Sequence, residues 1–151
     1  FHSKTPRVTY EAKRHDVSDL TGEKLALSHV EKGLRAATRE AGIDINFALV
    51  APSIGHTPRY RLYIESTATD AALKRAAQLL DDKLKHAPSY AYCRQLGQLA
   101  GIEVKRVTDG WQKYRQTLVS RGAKVSEVAP LSLDRQTIWD KVFESRKYGA
   151  A

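Results

Sequence analysis

The sequence predicts an α+β fold in which one sheet carries helices packed against it. Three observations point there. Short segments whose apolar residues alternate are interleaved with longer segments whose apolar residues recur at helical spacing. A turn-rich stretch, "APSIGHTPR" at 51–59, joins two alternating segments as a hairpin. A chain of 151 residues, 42% hydrophobic and 28% charged, suits one globular domain with a real core.

Residues 7–13 place Val8, Tyr10 and Ala12 on one face and Thr9, Glu11 and Lys13 on the other, as a strand with one wet side does. Ser28, with Glu31 three residues on, has the pattern of a capping box. It opens a first helix whose stripe is Val30, Leu34, Ala37 and Ala41 and which Gly42 ends. Ile45, Phe47 and Leu49 form one arm of the hairpin, and Tyr60, Leu62 and Ile64 the other. A second helix follows Thr69, with Leu73, Ala76, Ala77, Leu80 and Leu84 inward. Pro88 breaks it, and "SYAYCRQLGQL" reads as another short helix. Ile102 and Val104 mark a fourth strand. Asp109 caps a helix facing inward with Trp111, Tyr114 and Leu118, and a last helix presents Ile138, Trp139, Val142 and Phe143. This order is the ferredoxin-like βαββαβ arrangement: an antiparallel sheet with helices on one side, and extra C-terminal helices left to cover an edge or face.

Composition narrows the function. No stretch reaches the roughly 20 apolar residues of a membrane helix, so no membrane partner is expected. Cys93 is the only cysteine, which rules out an intrachain disulfide and a thiolate metal cluster and fits a cytoplasmic location. The sequence has no phosphate-binding G-x-x-x-x-G-K-[ST], no G-x-G-x-x-G and no G-x-S-x-G, and its five histidines lack metal-ligand spacing. Asp81 and Asp82 fall near the end of a helix and are expected in solvent. A self-contained hydrolase is therefore not expected. Absence of methionine and a start at Phe1 lead us to expect a piece of a larger protein.

The net charge is +8, and residues 94–124 carry seven Lys/Arg against two acids, a balance that suits phosphate-bearing partners. A free-standing basic module for RNA or another polyanion is the alternative reading. RNA-recognition motifs stack bases on rings exposed along their central strands. Here the first strand offers Thr9, Glu11 and Lys13, and "PRYRLYIES" offers Tyr63 alone, so nucleic acid ranks below the reading that follows.

The stretch "RHDVSDLTGEKLALSHVE" at 14–31 spends many charges on one strand-to-helix link. It reads Arg14-His15-Asp16, then Gly22-Glu23-Lys24-Leu25, then Val30-Glu31. That pattern resembles the joint between the large ATP-binding domain and the small C-terminal domain of adenylate-forming enzymes, with one residue fewer between Asp16 and Gly22. "PRYRLYIE", "LDDKLKHAPSYAYCRQLGQL" and "IEVKRVTDGWQKYRQTLVSRGAK" follow in the same order as in the auxin-responsive Gretchen Hagen family of acyl-acid amido synthetases. The resemblance covers residues 1 to about 128 and is to a bacterial-type member.

The resemblance implies that residues 1–151 are a single mobile C-terminal domain, with the N-terminal ATP-binding domain absent. In such enzymes the large domain activates a carboxylic acid with ATP and Mg²⁺, and the small domain then rotates so that an amine, usually an amino acid, takes the acyl group. The expected partners are therefore that N-terminal domain, a small-molecule acid and an amino acid. Arg14 and Lys24 are implied to contact phosphate or ribose oxygens, and Asp16, Gly22 and Glu23 to form the hinge and its backbone. Family members often carry a catalytic lysine near the end of the domain. In "GAKVSEVAPLSL", Ala129 and Pro130 stand at its place, and Lys124 lies nearby but out of register as the candidate for that role. No cofactor is expected on this domain alone, and the domain alone is expected to be inactive.

Overall fold

The computed structural model describes residues 17–123 and 132–150, the side chains of 145–150 excepted. The strand expected at 7–13 lies outside them. Two short strands open the described chain: β1, Val17–Ser18, and β2, Leu25–Ala26, pair antiparallel around a six-residue loop. Strand β2 runs straight into helix α1, Leu27–Ala41. The capping box does not form, because Ala26 is the N-cap residue without a side-chain hydrogen bond and Ser28 already lies inside the helix. Ser28 is the second residue of the helix, past the position from which a hydroxyl caps it. Gly42 ends the helix as expected, at φ 68°, its N–H donating to the carbonyls of Thr38 and Arg39.

The hairpin consists of β3, Phe47–Ser53, and β4, Arg59–Glu65, antiparallel with Phe47 opposite Glu65. Ile45 precedes β3 and is exposed. Helix α2, Asp70–Leu84, starts where the sequence places it: the Thr69 hydroxyl accepts from Ala72 N–H. Pro88 opens helix α3, Pro88–Gln95, at its first turn, where a missing N–H costs nothing. Strand β5, Glu103–Arg106, pairs with β4 in parallel, Leu62 opposite Val104. Helices α4, Gly110–Ser120, and α5, Trp139–Ala150, complete the described elements. Asp109 does not cap α4 with its side chain. It sits at φ 52°, and the Gly110 N–H donates to Glu65 Oε1 instead.

The α+β class holds, but the pairing differs from the expected one in two respects. The described three-stranded sheet, in the order β3-β4-β5, is mixed, not all antiparallel. The helices also cover both of its faces. Val50, Tyr60, Leu62 and Ile64 point to one face, under α1, α2 and α3. Phe47, Leu49, Ala51 and Tyr63 point to the other, against α4 and α5. Strand alternation sends Tyr60 and Tyr63 to opposite faces, and both are fully buried. The C-terminal helices thus cover the face that helices on one side alone would leave wet.

Packing on the first face is close. A Cβ on Gly33 would lie 3.1 Å from Leu80, which shows how tightly α1 approaches α2. Rings fill the second face: Trp139 lies 5.1 Å from Tyr114 between centroids, and Phe143 lies 5.0 Å from Tyr63. Residues 132–134 also bridge the outer edge of β3. Val50 N–H donates to Ser132 O at 2.7 Å, and Asp134 N–H donates to Val50 O at 3.0 Å.

A side chain on Gly110 would drive a Cβ to 2.3 Å from the Phe47 ring, whereas one on Gly55 would meet nothing within 4 Å. Gly110→Ala is therefore expected to lose roughly 1–3 kcal/mol of unfolding free energy by overpacking. Gly55→Ala should stay within about 0.5 kcal/mol of wild type. Urea titrations of the two variants check this.

Candidate functional site

The loop between β1 and β2 carries three of the residues singled out in the sequence: Gly22, Glu23 and Lys24. Arg14, Asp16 and Lys124 lie outside the described residues. Gly22 has φ 106°, a region that side-chain-bearing residues avoid, and its N–H donates to Asp19 Oδ1 at 2.7 Å. Lys24 also has positive φ, 47°, and its side chain is exposed. Non-glycine residues enter this region at a cost of order 1–3 kcal/mol, so surrounding contacts must hold the turn.

Those contacts converge on Glu23. Its side chain is 0% exposed, although it sits in a loop between two exposed neighbours. Oε2 accepts from Leu20 N–H at 2.7 Å and from the Tyr60 hydroxyl at 2.6 Å. Oε1 accepts from Thr21 N–H at 2.8 Å and from the Thr21 hydroxyl at 3.1 Å. The Tyr60 oxygen also lies 2.7 Å from Ser18 Oγ. Since the tyrosine has one proton to give, Ser18 donates to it. Burial pushes the Glu23 carboxyl up, but the bonds from Tyr60, Thr21 and Leu20 outweigh it and leave the group below its ordinary range. For Tyr60, burial and then the bond to Glu23 push the phenol far above its usual value, so it is a neutral donor. Cys93 is buried, and its Sγ lies 3.5 Å from the Thr21 carbonyl, a contact between the loop and α3.

A second region is an open cleft of about 730 Å³ along β5, with Arg59, Arg61, Lys74, Arg94 and Lys105 on its walls. Most of these cations already have partners. Arg94 holds Asp81 at 2.8 Å, Arg61 bridges Glu103 at 2.6 Å and Asp140 at 2.7 Å, and Lys105 reaches Glu144 at 3.3 Å. Arg106 donates to Asp70 and to the carbonyls of Ser66 and Ala68. Three residues of the basic run at 94–124, Arg94, Lys105 and Arg106, are thus engaged in internal pairing. Asp81 departs from expectation, being buried and bound by Arg94 and by the Tyr90 hydroxyl. The helix end that seemed open is covered by α3. Asp82 stays exposed.

Tyr63, the ring that an RNA-binding face would need, is buried beside Phe143 with its hydroxyl on Asp140. Among the described residues, no three His, Cys, Asp or Glu side chains converge as for a metal ion. No helix of the described residues is long and apolar enough to cross a membrane.

The sequence profile of the GH3 family C-terminal domain matches residues 24–128, from the end of this loop onward. The chain belongs to the GH3 family. Solved structures that share the fold include two of an acyl acid amido synthetase. GH3.15 acyl acid amido synthetase has a TM-score of 0.70 and 16% identity over 85% of this chain. The structure described as AtGH3.15 acyl acid amido synthetase in complex with 2,4-DB gives 0.68, with 16% identity over 85%. The chain spans 25% of the length of each. No curated protein sequence matches it. The GH3 profile spans the chain from β2 through α4, so it takes in the first helical layer and α4 of the second, and this is the family that the quoted segments resemble.

Sequence reading found Gly22, Glu23 and Lys24 but missed Tyr60 and Ser18. A signal was present: alternation put Tyr60 on a buried face, and a buried tyrosine needs a partner for its hydroxyl.

Because Glu23 is held below the ordinary glutamate value of 4.5, its contribution to stability is present above that pH and is lost as pH falls through its folded value. Urea midpoints of wild type should therefore fall more steeply between about pH 5 and pH 3 than those of Glu23→Gln, which cannot titrate there. Parallel curves would show that Glu23 gains nothing from its charge.

Proposed function

We propose that residues 1–151 act as the mobile C-terminal domain of an acyl-acid amido synthetase-like ligase, which activates a carboxylic acid with ATP and transfers the acyl group to an amino acid. The GH3 family match over 24–128 carries this reading, and the shared fold with a solved acyl acid amido synthetase supports it. In the parent, ATP with Mg²⁺ supplies the activation chemistry, held mainly by the N-terminal domain.

The donors at the loop suit that division of labour. Lys24 offers one exposed ammonium on a turn whose polar groups are otherwise used internally. Such a set fits a contact to a phosphate or ribose oxygen from outside and cannot enclose a nucleotide. Rotation between two poses asks for a pivot that can change φ and ψ and for charges that can change partners. Asp16 is our pivot, Arg14 and Lys24 are the charges, and Gly22 lets the turn approach the nucleotide without a side chain in the way. Lys124 is assigned the role of the displaced family lysine.

Pyrophosphate exchange and hydroxamate or amide formation by the full-length parent test the reading, with panels of carboxylic acids and amino acids. Acid-dependent exchange is expected from the parent and none from residues 1–151 alone. Lys24→Ala and Lys124→Ala in the parent should each slow product formation by about ten- to a hundredfold, the loss of one charge-assisted hydrogen bond. A parent that exchanges with no acid would sink the proposed activity.

A further inference from the structure

The hydroxyl of Tyr60 does no work in the core around it. Its ring belongs to the buried cluster under α1 and α2 that includes Leu62, Leu80, Leu84 and Leu99, and a phenylalanine would fill the same volume. The oxygen has two partners, Glu23 and Ser18, and both belong to the β1–β2 hairpin. Each is buried, at 0% and 1% exposed.

Apart from the Gly22 N–H bond to Asp19 Oδ1, the loop itself offers little else to hold its shape. Two of its residues have positive φ, and one of those, Lys24, bears a side chain. Leu20 is only partly buried, and the Cys93 contact to the Thr21 carbonyl is long and weak. The Glu23 carboxylate gathers the Leu20 and Thr21 amides from within the loop, so it fixes the loop's internal shape. Among the described residues, Tyr60 alone ties that carboxylate to the central sheet, from a strand 37 residues away. Lys24 follows Glu23 directly. Its ammonium is therefore aimed by a chain of contacts that begins on β4.

We infer that Tyr60 is a positioning residue: through the buried Glu23 carboxylate it fixes the turn that presents Lys24, so that the turn moves as part of the domain and not as a free loop. Its effect on turnover rests on the function proposed above, whereas its effect on the loop does not.

Two measurements test this separately. In residues 1–151, Tyr60→Phe should speed amide hydrogen exchange at Leu20 and Thr21 by about tenfold or more, the loss expected for a hydrogen bond to a charged group, with β3 and β4 amides changed much less. Ser18→Ala, which leaves the Tyr60–Glu23 bond in place, should give a smaller change at the same two amides and serves if the phenylalanine variant folds poorly. In the parent, Tyr60→Phe should slow product formation, and adding it to Lys24→Ala should slow it no further, since both act through one ammonium. Unchanged exchange at Leu20 and Thr21 would overturn the inference. So would equal acceleration of loop and sheet amides in both variants, or additive losses in the double variant. A parent without activity would remove the proposed reaction and leave the exchange result to decide the role of Tyr60.

Discussion

Everything described here leans on β4, a central strand buried on both faces. Tyr60, Leu62 and Ile64 enter one layer while Tyr63 enters the other, and all four are fully buried. A strand in that position cannot slip by one residue, because a slip would exchange the two sets and put Arg61 into the helical core. Its backbone also fixes its neighbours, antiparallel to β3 and parallel to β5. At its end, Glu65 holds the first amide of α4, and the Ile64 carbonyl accepts from Val107 N–H. Both the layered fold and the loop geometry follow from this one register.

Three buried or half-buried carboxylates extend the control outward, each bound by a tyrosine. Tyr60 holds Glu23 and with it the β1–β2 loop. Tyr90 holds Asp81, which Arg94 also grips, so that α3 is pinned to α2. Tyr63 holds Asp140 together with Ser53 and Arg61, fixing the first turn of α5 on the second face. For all three acids burial works against the charge, and hydrogen bonds more than offset it, so the folded carboxyls stay below their ordinary values. A neutral phenol suits this use, since it donates one directed bond and carries its own apolar surface into the interior. Two of these clamps, Tyr60 on Glu23 and Tyr63 on Asp140, hold peripheral parts to β4, and the third, Tyr90 on Asp81, joins two helices.

Much of the fold was legible before any coordinates. Helix α2 could be read from Thr69 and its leucine-alanine stripe, because a capping hydroxyl and helical spacing are local signals that agreed. The hairpin was legible from its alternation and its turn residues. The caps of α1 and α4 were not. Ser28 and Asp109 both look like caps, yet Ala26 stands at the cap of α1 and Glu65 serves α4. Asp81 looked solvated because its partners, Tyr90 and Arg94, belong to the next helix and meet it only after α3 folds back.

The sequence by itself determined the order of elements from α1 to α5, the apolar face of β4 formed by Tyr60, Leu62 and Ile64, and the place of Gly22, Glu23 and Lys24 in the link before α1. These rest on spacing along the chain, which a reader of residues can count. Only the tertiary structure decided that the sheet is mixed, that helices cover both of its faces, and that Glu23 turns inward while Lys24 turns out. Those outcomes depend on which distant groups meet, and alternation tells which way a side chain points without telling what waits for it there. Tyr60 shows the difference: its burial was written in the period of β4, but its partner stood 37 residues away.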